Sequence, residues 1–82
     1  MEYDDILRIV RSAVAEVFSV PESDIFQDTE FVSDLGCESL DVTELMFIAE
    51  EEFDIPEIQA EEVKNIETVG DACDFILGKL GK

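Results

Sequence analysis

The sequence predicts an all-α fold: a four-helix bundle of three longer helices and one short one, with a long ordered loop between the first and the second. Three observations predict it. Apolar residues recur at three- and four-residue spacing in three separate stretches, the periodicity of helices that bury one face. No stretch alternates apolar and polar residues as a half-buried strand does. Both prolines, Pro21 and Pro56, fall between the periodic stretches, where they end helices and do not kink them. The 82 residues read as one domain, 1–82, which can bury about 60–65% of its unfolded surface around one core. No internal repeat or low-complexity tract is present.

The first helix runs from Tyr3 to Phe18. Apolar residues stand at positions 3, 6, 7, 10, 13, 14, 17 and 18, leaving Asp4, Arg8, Arg11, Ser12 and Glu16 as the outer face. Pro21 ends it, aided by the extended bias that proline imposes on Val20. The connection from Pro21 to Glu38 is long for a compact domain, and loops of that length are commonly functional. Ile25, Phe26, Phe31, Val32 and Leu35 are apolar pins that predict a loop packed against the core.

The second helix spans about Ser39 to Phe53. Val42, Leu45, Met46, Ala49 and Phe53 make one buried face, while Leu40, Glu44, Phe47 and Glu51 form a second stripe. A phenylalanine flanked by carboxylates on that stripe reads either as a contact surface or as a side chain folded against the edge of the core. Asp54-Ile55-Pro56 ends the helix. Gln59 to Val63 has room for one or two turns, marginal without packing. Thr68-Val69-Gly70-Asp71 has capping-box spacing, with Asp in place of the usual Glu or Gln. It opens a last helix whose Val69, Ala72, Cys73, Ile76, Leu77 and Leu80 face inward. Gly70 in its first turn costs about 1 kcal/mol relative to Ala, and Gly78 and Gly81 weaken its end.

The charge of −17 narrows the function classes. Twenty-two acidic residues face five basic ones, and between residues 12 and 63 there are sixteen Asp or Glu and no Lys or Arg. Such a surface repels phosphate backbones and anionic lipid, so neither nucleic acid nor membrane suits it as a partner. It steers basic protein patches toward itself in a salt-dependent way, or else serves only to keep the chain soluble. Self-repulsion among clustered carboxylates predicts stability that grows as pH falls toward about 5. Loose Ca²⁺ or Mg²⁺ association with Glu50, Glu51, Glu52, Asp54 and Glu57 is compatible with this charge, but no specific metal site is predicted.

Histidine is absent, so no imidazole is available as general base or metal ligand. A serine nucleophile with neither His nor a nearby Lys has no base, and enzymatic activity is not predicted. The acidic start of the chain is neither a secretory signal nor a mitochondrial presequence, and no apolar run could span a bilayer. Cys37 and Cys73 lack the number and spacing of a disulfide scaffold or a zinc site. A reduced, cytoplasmic monomer is the expectation.

One stretch carries more chemistry than the rest, Asp34-Leu35-Gly36-Cys37-Glu38-Ser39-Leu40-Asp41. It sets a hydroxyl between two carboxylates where a glycine-broken loop meets a helix. Ser39 there either caps the helix or offers an exposed, sterically open oxygen for modification. The stretch resembles the modification site of acyl carrier proteins, Asp-Leu-Gly-x-Asp-Ser-Leu-Asp/Glu. Glu44-Leu45, Glu50-Glu51-Glu52-Phe53-Asp54-Ile55 and Ile66-Glu67-Thr68-Val69-Gly70-Asp71 resemble that family's second helix, its exit turn and the entry to its fourth helix. The likeness covers essentially the whole chain and needs one extra residue near Pro56.

The resemblance implies a free-standing acyl carrier. A phosphopantetheinyl transferase would attach 4'-phosphopantetheine from coenzyme A to Ser39. The arm would hold acyl groups as thioesters and present them to partners in fatty-acid or related lipid synthesis. Polyketide or amino-acyl cargo is the alternative within the fold, and an unmodified acidic adaptor the alternative outside it. Glu38, Leu40, Asp41, Glu44, Phe47, Glu50 and Glu51 match positions that meet basic patches on acyl-loading and acyl-processing enzymes. Phe31, Val32, Val42, Met46, Ala49, Ile66 and Phe75 would line an interior space for the acyl chain. Glu38 and Cys37 depart from the family pattern, which usually has Asp and a small or apolar residue there. Ala49 and Ile48 also differ from it, in ways that reshape the interior.

Overall fold

The computed structural model describes residues 2–81. Its four helices are α1 (Tyr3–Phe18), α2 (Ser39–Phe53), α3 (Ala60–Val63) and α4 (Val69–Leu80), and a 3₁₀ turn, Glu22–Asp24, lies in the long connection after α1. The described residues contain no strand, only an isolated antiparallel bridge between Glu30 and Thr68. The all-α expectation therefore holds, with three long helices and one short.

α1 buries Ile6, Val10 and Val14, one residue per turn on one face. Asp4 and Asp5 sit in its first turn, at the positive end of its dipole. Its last turn closes on Ser19, a non-glycine residue at φ 56°, and the Val20 N–H reaches back to the Ala15 carbonyl at 3.1 Å. α1 packs most extensively on α4 and next on α2. Val69, Cys73 and Ile76 are the buried side chains that α4 supplies to this core, with Gly70 buried among them. Leu77, expected to face inward, is 37% exposed, because it lies one position round the helix from the buried stripe of Val69, Cys73 and Ile76, while Leu80 beyond it is half-buried.

The long connection is held down, though by fewer pins than the sequence suggests. Ile25 is fully buried, Phe31 is buried and Leu35 is half-buried, whereas Phe26 and Val32 point outward. Backbone bonds do the remaining anchoring. The Phe31 N–H donates to the Glu67 carbonyl at 2.9 Å, the Val69 N–H to Thr29 at 2.9 Å, and the Gly70 N–H to Gln27 at 2.7 Å. An Arg11 guanidinium N–H ties the start of the connection to α1 through the Glu22 carbonyl at 2.8 Å. These bonds lay the segment across the entry to α4.

The close approach explains Gly70. A Cβ at that position would meet Gln27 Cγ at 2.9 Å and the Gln27 carbonyl oxygen at 3.0 Å. A glycine in the first turn of a helix is costly by propensity alone. Here it lets the loop backbone pack against α4.

Candidate functional site

Ser39 is the first residue of α2, and Glu38 holds the extended N-cap position at φ −120°, ψ 173°. Ser39 therefore does not cap the helix. The Glu38 N–H instead donates to Asp41 Oδ2 at 3.0 Å, closing the turn from the carboxylate side. This leaves the Ser39 hydroxyl exposed and without a hydrogen-bond partner among the described residues. The first intrahelical bond runs from the Val42 N–H to the Glu38 carbonyl at 3.0 Å, so the amides of Ser39, Leu40 and Asp41 have no partner within the helix.

The loop ahead of Ser39 is shaped by a short run of turns. The Cys37 N–H donates to the Phe31 carbonyl at 2.9 Å and the Gly36 N–H to the Val32 carbonyl at 3.0 Å. Gly36 adopts φ +66°, the left-handed conformation in which a side chain is strained, with open space around it. Burial of Phe31 and the left-handed turn at Gly36 together swing Ser39 onto the end of α2.

Behind Ser39 lies an apolar cavity of about 340 Å³, bordered by Ser39 itself and by Cys37 and Glu38 at the same end. All seven residues expected around an interior space border it: Phe31, Val32, Val42, Met46, Ala49, Ile66 and Phe75. Val32 is 73% exposed and contributes only to the rim. Ile9 and Ala13 of α1, Leu45 and Ile48 of α2, and Val63 of α3 border it as well. Ile9 stands three residues after Ile6 and four before Ala13, so a wider reading of the α1 stripe includes it. The cavity also accounts for α2. Of its inward face only Phe53 is buried, while Val42, Leu45, Met46 and Ala49 stay half-buried because they face this space and not close-packed side chains.

The stripe on the other side of α2 faces solvent. Leu40 is 77% and Phe47 63% exposed, so Phe47 does not fold against the core edge. Glu38, Glu44 and Glu51 are exposed beside them, and none of these carboxylates forms an ion pair among the described residues. Asp41 and Glu50 are half-buried and bonded to their own chain, Asp41 to the Glu38 N–H and Glu50 Oε2 to the Ile58 N–H at 2.8 Å. Structural work for Glu50 was not legible in the sequence, since its partner lies eight residues on, beyond a proline.

Cys37 is half-buried, its thiol directed at the Glu38 carbonyl at 3.6 Å. Burial pushes this thiol's pKa up, and the carboxylates of Asp41 and Glu38 add to the effect. It is therefore not an activated nucleophile. Among the described residues no three His, Cys, Asp or Glu side chains converge as a metal site, and no helix is long and apolar enough to cross a membrane.

Comparison with known proteins agrees with this geometry. A family model described as a phosphopantetheine attachment site matches residues 8–76. The chain is 46% identical over 81 residues to an acyl carrier protein of Prochlorococcus marinus (strain MIT 9515), covering 99% of this chain and 100% of that one. The chain belongs to the acyl carrier protein family. A second member, from Borreliella burgdorferi (strain ZS7), is 43% identical over 83 residues, with 99% and 100% coverage. Among solved structures, the acyl carrier protein of Enterococcus faecalis superposes with a TM-score of 0.77 at 29% identity, covering 96% of this chain and 99% of that chain. Members of this family are carriers and not catalysts, and the matched domain is the one on which phosphopantetheine is attached.

Proposed function

We propose that Ser39 is the attachment residue and that residues 1–82 act as one carrier domain. The observation that carries this reading is the Ser39 hydroxyl, free of any capping role, exposed at the first position of α2 and opening onto the apolar cavity. The surroundings fit the group. A phosphodiester on Ser39 would lie beside the free amides of Ser39 and Leu40, at the positive end of a 15-residue helix. Glu38 and Asp41 would repel it, which favours a phosphate held out from the surface. Attachment forms the Ser39 Oγ–phosphorus bond as the pyrophosphate bond of coenzyme A breaks and adenosine 3',5'-bisphosphate leaves. The chain has no histidine beside the serine, and this reading assigns the base that takes the serine proton to the transferase.

When bound, the arm supplies a terminal thiol that holds acyl groups as thioesters. The chain's own residues then do two things. The cavity, with its apolar walls of Val42, Met46, Ala49 and Phe75, shelters the apolar part of the cargo from water. Leu40, Phe47, Glu38, Asp41, Glu44, Glu50 and Glu51 offer basic partner enzymes a surface of acids around two exposed apolar anchors, with Glu50 and Asp41 committed in part to their own chain. The reading is of a non-catalytic, cytoplasmic monomer that serves fatty-acid or related lipid synthesis.

Intact-mass measurement after incubation with coenzyme A and a phosphopantetheinyl transferase tests the attachment. Wild type gains the phosphopantetheinyl mass and Ser39→Ala gains none. Equal gain by the variant, or none by wild type, would sink the assignment.

A further inference from the structure

Lys79 stands at the seam between α3 and α4. Its ammonium pairs with Glu62 of α3 and lies 5.5 Å from the centroid of the Phe75 ring, one turn earlier on α4. Phe75 borders the cavity, as do Val63 at the end of α3 and Ile66 just beyond it. The other two ion pairs among the described residues, Asp5–Arg8 and Glu61–Lys64, join residues three apart on one stretch of chain. Lys79–Glu62 joins two helices, in a chain whose acids outnumber its bases 22 to 5.

α3 needs such a tie. At four residues it is too short to persist on its own hydrogen bonds, and it packs extensively on no other helix. Glu62 serves it twice: Oε2 accepts the Gln59 N–H at 3.0 Å, closing the first turn, while Oε1 takes Lys79. These bonds, led by the one from Lys79, hold the Glu62 carboxyl below its ordinary range.

The geometry points to Lys79, acting through Glu62 and Phe75, as the positioning residue that sets how long an acyl chain the cavity shelters. This rests on the reading that the arm on Ser39 places its cargo in that cavity. At about 340 Å³ the space is near the lower end of ligand pockets, which run from about 300 to 1,000 Å³, so longer cargo needs a wall to yield. α1 and α2 are long helices packed against each other. The α3–α4 seam, where Val63 and Ile66 pack only half-buried against the core, is crossed by one partly exposed ion pair, a modest tie that salt weakens. The seam is thus the wall that yields. Lys79 keeps it closed and the Phe75 ring in place until a long chain outweighs the tie.

Lys79→Gln and Glu62→Gln remove the tie from opposite sides, and Glu62→Gln retains an oxygen to accept the Gln59 N–H. Holo protein, its mass confirmed, is charged with saturated acyl groups of short, medium and long chain, and thioester cleavage by hydroxylamine is timed for each. Both variants should lower the ratio of long-chain to short-chain cleavage rates by about two- to fivefold, the range that a partly exposed pair supplies. The double variant should go no further, and Lys79→Arg should keep the wild-type ratio. An unchanged ratio in either single variant overturns the assignment, as does a rate rise equal at every length, which would mark a merely structural role. A chain whose Ser39 gains no arm overturns the attachment reading, and this inference with it. One that gains the arm and keeps its ratio overturns the role of Lys79 alone.

Discussion

Glu50 Oε2 accepts the backbone N–H of Ile58 at 2.8 Å, across the break that ends α2. Between the two lie Asp54, at a left-handed φ of 52°, and Pro56. The bond satisfies an amide next to the core, since Ile58 itself is buried and borders the cavity. The acid-rich end of α2 therefore contains one carboxylate that folds the chain beside others that only charge it.

Glu50→Ala is expected to lower stability by about 1–2 kcal/mol, the value of a bond to a charged acceptor less what solvent recovers. Glu50→Gln keeps an acceptor oxygen and should lose less than half of that. Glu51→Ala, on an exposed neighbour, should stay within about 0.5 kcal/mol of wild type. Urea unfolding followed by circular dichroism distinguishes the three; equal losses at 50 and 51 would show that the Ile58 bond contributes nothing.

Gly70→Ala opposes two effects of known sign. Alanine gains about 1 kcal/mol of helix propensity over glycine in a helix interior. Its Cβ would enter at 2.9 Å from Gln27 Cγ and 3.0 Å from the Gln27 carbonyl oxygen, where the backbone of the loop is bonded and cannot retreat freely. Overpacking of this kind costs about 1–3 kcal/mol, so the net expectation is a lower melting temperature. A variant more stable than wild type would mean that the loop gives way at little cost.

The helices were legible because their determinants are local. Periodicity and breakers placed α1 at Tyr3–Phe18 and α2 at Ser39–Phe53, and the Thr68 side chain accepts the Asp71 N–H at 3.0 Å as the capping-box spacing predicts. What stayed hidden depends on which segments meet in space. Phe26 and Leu35 look alike as pins, and only the line of the loop across α4 decides that Phe26 turns out. Gly70 reads as a flaw until Gln27 is seen above it. The exposed position of Ser39 at the start of α2 was legible from its octapeptide. The Lys79–Glu62 tie was not, because seventeen residues and a turn separate the partners.

Two opposed pH effects should produce a maximum in stability. Asp71 accepts the N–H groups of Glu67 at 3.1 Å and Thr68 at 3.2 Å, and these bonds hold its carboxyl below its ordinary 3.8. Folding lowers that pKa, so the unfolded chain takes the proton more readily. The stabilisation is complete above the unfolded value and is lost as pH falls through the folded one; Glu62, held low by Lys79 and the Gln59 amide, behaves alike. The −17 net charge works in the other direction, since the self-repulsion it creates at neutral pH is relieved as the solution is made more acidic. The melting temperature should rise from pH 7 to about 5 and fall below about pH 4. Asp71→Ala should flatten the acid limb and leave the rise unchanged; a monotonic curve in wild type would refute the opposition.

The two cysteines should separate in reactivity, although both thiols are held protonated. Cys73 is fully buried in α4, and burial, with Asp74 adding to it, pushes its thiol up to about 11. Cys37 is half-buried, and its upward shift comes from burial first and then from Asp41 and Glu38. Attack needs both thiolate and access, and Cys73 has neither while the fold is intact. Apo protein treated with iodoacetamide near pH 8 should gain one adduct slowly, at Cys37, and a second only when denaturant exposes Cys73. Raising pH from 7 to 9 should speed the Cys37 reaction, and screening its neighbouring carboxylates with salt should speed it further. Peptide mapping that finds Cys73 modified as fast as Cys37 under native conditions would mean that the α1–α4 core opens more readily than its packing implies.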